Sequence, residues 1–247
     1  MTEGGEVMDK IKFVNARGAM MEFQLLSIER IPLDINVPIE NLVDGDGAVK
    51  TGVETVETKR INVSGPIYSP DTSETDDIKD SLFNLMQYTP IQIYRRERFL
   101  FAYPAGLPQR WIDTRELRID MNFVCPDPFW YGSEQELVNP PVIGVEGNYR
   151  TYPKIRLDIN ESTTGSIQID NDTTGQVFYI DEIEVEDEDE IIINNESFVV
   201  EHEEEKILSK VDDSWLIDGF YFVKGANELS YSGIDADITY KYRNKWL

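Results

Sequence analysis

Apolar and polar residues alternate with a period of two along most of this chain, and that alternation constrains the fold more than any other feature. Lys10-Ile11-Lys12-Phe13-Val14 and Met21-Glu22-Phe23-Gln24-Leu25-Leu26 set the pattern. Side chains on an extended backbone point to opposite faces in turn, so such runs put one face in a core and the other in water. Residues 117–125, Leu-Arg-Ile-Asp-Met-Asn-Phe-Val-Cys, keep the alternation for nine residues and stop at Pro126-Asp127-Pro128. A helical period is clear in one place. Ile78, Leu82, Leu85 and Met86 fall at i, i+4, i+7 and i+8, which predicts a helix over 74–88, capped by Ser73, Thr75 or Asp76 and ended before Pro90. The expected fold class is mainly β, with one α-helix in the N-terminal half.

At 247 residues the chain is longer than the usual single domain, and two domains are expected, 1–133 and 134–247. Pro140-Pro141, Gly144 and Gly147 mark 134–147 as an extended linker. Beyond it, short strands are predicted at 154–159, 165–170, 176–180, 190–193, 198–200, 229–231 and 238–242. Turn signals recur between them as in an antiparallel β-sandwich, and no helical pattern of useful length interrupts them. In the first half, Pro38 and Asp44-Gly45-Asp46-Gly47 make 33–58 read as a long loop, an arm able to reach a neighbouring subunit. Residues 91–94 and 99–103 flank Arg95-Arg96-Glu97-Arg98 as a hairpin with a charged turn.

The formal charge is −24, from 47 acids against 23 bases. Residues 1–133 hold 14 bases and 21 acids, and residues 134–247 hold 9 and 26. A field of this sign repels phosphate backbones and anionic lipid, which disfavours nucleic-acid and membrane partners. The acidic start of the chain lacks the basic and apolar parts of a secretory signal, so synthesis in the cytoplasm is expected. One cysteine, Cys125, permits no internal disulfide, and one histidine, His202, sits among glutamates. A several-ligand zinc site is therefore excluded by count, and His202 reads as part of a solvated turn rather than as a general base. There is no phosphate-binding or dinucleotide-binding glycine motif, so no cofactor is expected. The acidic run at 181–190 reads as a strand with an acidic outer face leading into a charged turn, not as a calcium loop. The asparagines of the four Asn-x-Ser/Thr triplets, Asn62, Asn160, Asn171 and Asn195, read as accidents of composition. Nothing here recommends an enzyme.

One ordered set of motifs is familiar. Ile119 to Val124 running into Cys125-Pro126-Asp127-Pro128-Phe129-Trp130-Tyr131-Gly132 resembles the mid-chain signature of the siphophage distal tail protein (Dit) family. Gly147 with Tyr152-Pro153-Lys154-Ile155, the segment from Gly165 to Asn171 with Thr174-Gly175, the turn Gly225-Ala226-Asn227 and the terminal run from Tyr240 to Leu247 follow in the order found there. In the first half, the strand ending Asn62-Val63-Ser64-Gly65 before the helix, and the helix before a hairpin, fit as well. The resemblance implies an N-terminal β-rich domain that closes into a ring, usually a hexamer, and a galectin-like β-sandwich at its periphery. Such a ring joins the tail tube to tail-tip hub, fibre or receptor-binding proteins and lets DNA cross its channel, placing the protein at the tail tip of the virion. For subunit contacts the expected residues are Leu33, Val37, Val53, Arg95, Arg96 and Arg98, on exposed loops and edges. Cys125, Pro128, Phe129, Trp130 and Tyr131 are expected at the domain junction. The competing reading is a carbohydrate-binding adhesin module in which Trp215 and Tyr221 stack on sugars.

Overall fold

A computed structural model describes residues 10–24, 27–30, 35–36, 39–41, 48–50, 55–56, 58–68, 72–106, 109–113 and 116–247. It is mostly antiparallel strand, and the chain divides into two compact units, 1–130 and 131–247.

In the first unit the strands follow the order Met20–Gln24, Lys10–Val14, Ile91–Arg95, Arg98–Gly106, Glu116–Cys125, Lys59–Tyr68 and Ser27–Arg30. Glu116–Cys125 and Lys59–Tyr68 pair over their whole length, from Glu116 opposite Tyr68 to Cys125 opposite Lys59. Arg98–Gly106 pairs with Ile91–Arg95 through its first half and with Glu116–Cys125 through its second, and within the second pairing the register shifts between Pro104 and Gly106. A proline cannot donate to the ladder, so that shift falls where a strand tolerates it. The alternation read in the sequence becomes burial: Ile11, Phe13, Ile61, Val63, Ile91, Ile93, Met121, Phe123 and Cys125 all point into the core, with Phe13 and Phe123 stacked at 5.6 Å.

The predicted helix is present as Thr72–Gln87, with Leu82, Leu85 and Met86 buried and Phe83 exposed on the opposite face. It begins earlier than expected, so Ser73, Thr75 and Asp76 lie inside its first turns. At its other end, Asn15 satisfies carbonyls that have no intrahelical partner. The Asn15 amide donates to the Leu85 carbonyl at 3.4 Å, while its Oδ1 accepts the N–H groups of Arg17 and Ala19 at 3.0 and 2.9 Å. One buried side chain thus shapes the turn between the first two strands and ties it to the helix.

Leu33, Val37 and Val53 lie outside the described residues. What is described of 33–58 corrects the loop reading. Ile35–Asn36 pairs antiparallel with Thr55–Val56, and Ile39–Asn41 with Ala48–Lys50, in the nested register of a hairpin. Two β-branched runs around an Asp-Gly pair carry a hairpin signal, and the prolines concealed it.

The second unit is two antiparallel sheets enclosing one core. The first sheet has the order Trp130–Val138, Ala236–Trp246, Lys154–Ile159, Glu190–Asn194, Val199–His202 and Glu205–Lys206. The second has the order Val142–Val145, Gly225–Gly233, Thr163–Asn171 and Gln176–Val185. Ile155, Leu157, Ile191, Ile193 and Tyr240 from one sheet meet Ile143, Ile167, Ile169, Phe178 and Ile180 from the other. The expected antiparallel sandwich is the observed one, with strands at each predicted place.

Two expectations need correction. The supposed linker 134–147 is mostly strand: Glu134 and Glu136 are on Trp130–Val138, where they face Arg243 and Lys241 at 3.2 and 3.3 Å, and Val142–Val145 forms an edge of the second sheet. A charged edge strand has the composition of a linker, and only its partner distinguishes the two. Secondly, the turn Leu208–Lys210 and the helix Asp213–Asp218 interrupt the strands. Six residues are too few to display a helical period, although Asp212 caps the helix by accepting the Ser214 N–H at 2.7 Å.

Candidate docking surfaces

The basic hairpin is built as expected. Arg95 and Arg98 face each other across its end, and Arg96-Glu97 form the turn, with Arg96 in the left-handed region at φ 56°. Arg96 and Arg98 are exposed and Arg95 is half-buried. Together with Glu97 and Trp130 they line a pocket of about 540 Å³. Three guanidiniums at one rim favour carboxylate or other oxyanion groups, which accept their paired N–H donors.

Of the residues predicted at the domain junction, Cys125, Pro128, Phe129 and Trp130 fall in the first unit and Tyr131 in the second. In the first, Cys125 is fully buried and Lys59, itself buried, donates to the Pro128 carbonyl at 3.3 Å. The same ammonium stands 5.7 Å from the centre of the Trp130 ring. Burial pushes the Cys125 thiol up to about 11, against the opposing pull of the Lys59 charge. Asp127 accepts the Phe129 N–H at 3.2 Å, which shapes the turn after the strand stops. In the second unit, Tyr131 is buried and its ring lies 5.3 Å from the Lys245 ammonium.

The motifs of the second unit acquire physical reasons. Asn227, the third residue of the Gly225-Ala226-Asn227 turn, is fully buried; its amide donates to the Val223 carbonyl at 2.8 Å and its Oδ1 accepts the Val223 N–H at 2.9 Å. It knots the loop that precedes the strand. At Gly147 a Cβ would collide with the Lys245 carbonyl oxygen, so no side chain fits there. Two of the Asn-x-Ser/Thr asparagines, Asn171 and Asn195, are fully buried and inaccessible to modification in the folded unit.

Two acidic turns meet at one end of this sandwich. Asp189 Oδ2 accepts the Glu186 N–H at 2.7 Å and lies 2.7 Å from His202 Nε2, while Glu203 accepts the Glu190 N–H at 2.8 Å. The Glu186 hydrogen bond foremost, and His202 after it, hold the Asp189 carboxyl below the usual carboxylate range. His202 therefore ties two turns together. Among the described residues, no group of three or more His, Cys, Asp or Glu is arranged to hold a metal ion.

The sugar-stacking surface expected at Trp215 is absent from the surface. Trp215 is 1% exposed, wedged between Phe178 and Phe198, with its indole N–H donated to Asn195 Oδ1 at 2.7 Å. Tyr221 is half-buried under the Arg150 guanidinium, 4.6 Å from its ring centre.

Residues 146–246 match the model of the siphovirus-type tail component, C-terminal domain. That match covers about two fifths of the chain. Along the whole chain, the fold is similar to the crystal structure of the Dit protein of phage SPP1, with a TM-score of 0.68 and 14% identity over 96% of this chain and 99% of that one. That SPP1 protein is described as a paradigm of the hub adsorption apparatus in phages infecting Gram-positive bacteria. The phage P2 baseplate in its activated conformation with Ca also aligns, at 7% identity and a TM-score of 0.46 over 96% of this chain and 97% of that one. No curated protein matches the chain by sequence. The resemblance to distal tail proteins and the mainly β fold class are borne out. The tail-component domain spans the motifs from Gly147 to Trp246 that carried the resemblance in the second half.

Proposed function

We propose that this chain is a structural distal tail protein, a baseplate hub that works by docking and not by catalysis. The tail-component domain over 146–246 carries the reading, and the distal-tail fold along the chain supports it. Residues 1–133 form the ring, a hexamer, and residues 134–247 are a galectin-like sandwich at its edge. The ring connects the tail tube to tail-tip hub, fibre or receptor-binding proteins, and DNA passes through its channel without sequence-specific contact. The protein is made in the host cytoplasm and resides at the tail tip of the virion. Arg95, Arg96 and Arg98, with Leu33, Val37 and Val53, supply subunit contacts. Cys125, Pro128, Phe129, Trp130 and Tyr131 form the domain junction.

The experiment is the mass of the purified protein in solution by light scattering, together with negative-stain images. A ring whose mass is about six times the 28.5 kDa chain is the expected result. A monomer at every concentration, and in the presence of the tail tube protein, would overturn the reading. The adhesin alternative loses one of its two named residues, because a buried Trp215 has no face to offer a sugar.

A further inference from the structure

The second unit is the acidic half of the chain, with 9 bases against 26 acids over 134–247. Yet four of its nine bases, Lys154, Lys241, Arg243 and Lys245, line a single groove of about 260 Å³. The strands explain the gathering. Lys241, Arg243 and Lys245 are two residues apart on Ala236–Trp246 and so share a face. Lys154 opens the neighbouring strand directly opposite Lys241. Like charges at opposed positions of an antiparallel pair repel, so the folded unit holds this arrangement at a cost.

Three of the four cations have acids beside them. Lys241 reaches Glu136 at 3.3 Å, Arg243 reaches Glu134 at 3.2 Å and the buried Lys245 reaches Glu196 at 2.6 Å. Lys154 makes no ion pair and no side-chain hydrogen bond among the described residues. Beside it, Asn194 uses its Oδ1 to accept the N–H groups of Glu196 and Ser197 at 3.1 and 3.2 Å, which leaves its amide NH₂ as a donor at the groove. An ammonium and an amide, both donors, face a site where a second ammonium raises the local potential.

We infer that this groove accepts a single carboxylate of a docking protein, a side chain or a chain terminus, held by Lys154 and the Asn194 amide. A carboxylate between Lys154 and Lys241 converts their repulsion into two attractions and supplies the acceptors that the donors lack. A polyanion is disfavoured, because the acids of the surrounding unit repel each further negative charge it brings, whereas one carboxylate meets that field once. The inference rests on the reading that the chain acts by docking other tail proteins.

The test uses the full chain with ¹⁵N-labelled lysines, whose ammonium resonances are followed on titration with acetate, with inorganic phosphate, and with chloride at matched ionic strength. Acetate is expected to shift Lys154 saturably and chloride is not. Lys154→Met should weaken the acetate response at the remaining groove lysines by about tenfold or more, the effect of losing one charged hydrogen-bond donor. Lys210→Met, remote from the groove in the sequence and outside its lining, should leave the response intact. An acetate response no larger than that of chloride overturns the inference, and so does saturation by phosphate alone. If the chain forms its ring and Lys154 stays silent, the groove assignment fails and the ring reading stands; a monomeric chain whose Lys154 binds acetate reverses that outcome.

Discussion

Trp215 illustrates how one residue's role depends on its surroundings. In the sequence it is an aromatic ring near acids and a candidate for stacking on sugar; in the fold it is the centre of an aromatic cluster with its N–H satisfied by Asn195. Trp215→Ala should therefore destabilise the protein by about 3–5 kcal/mol, the range for large aromatic side chains deleted from a core, as measured by denaturant unfolding. A loss below about 1 kcal/mol, the scale of a surface substitution, would contradict that burial. Cys125 gives a second check at this scale. With its thiol raised to about 11 and no exposed surface, it should resist a thiol reagent at pH 8 in native protein and react promptly after unfolding. Rapid native labelling would show that the strand end at Cys125 opens. At Asn227 and Gly147 the sequence displays the residue but hides the reason, since the loop carbonyls around Asn227 and the Lys245 backbone against Gly147 come from distant positions.

Among the elements, the joined acidic turns yield a pH dependence with a definite sign. The Asp189 carboxyl is held below its unfolded value, so the stability it contributes is fully present above the ordinary carboxylate range and is lost as pH falls through its folded value. Asp189→Asn should therefore lower the unfolding midpoint at pH 7, and the gap from the parent protein should close on acidification below about pH 4. A gap that is constant with pH would mean that the charge of Asp189 contributes nothing. Strand 130–138 makes a different point. Glu134 and Glu136 gave it the look of a linker, but their cationic partners sit about a hundred residues away on the terminal strand. Replacing either glutamate by glutamine should cost under about 1 kcal/mol, because these pairs are exposed and the strand is held by its backbone ladder. In thermal unfolding, a large drop for either variant would assign the ion pairs a weight they are not expected to have.

For the whole molecule, the charge of −24 opposes the ring assembly proposed above. Copies of the chain repel one another through water, and salt screens that repulsion over about 10 Å at 0.1 M. Raising the salt from about 0.02 to 0.3 M should shift the protein toward its oligomer in sedimentation experiments, and dissociation by salt would point instead to attractive charge pairs dominating the interface. Period-two alternation, one helical repeat and the turn residues were enough, by themselves, to determine a mainly β chain with a helix before a hairpin and an antiparallel sandwich after it. Those signals are local, because the face a side chain takes depends on its neighbours in sequence. The pairing of 35–41 with 48–56, the strand hidden in 134–138, the core position of Trp215 and the gathering of four cations at one groove were settled only in three dimensions. Each depends on which residues far apart in the chain become neighbours, and a short sequence window holds only one side of such a contact.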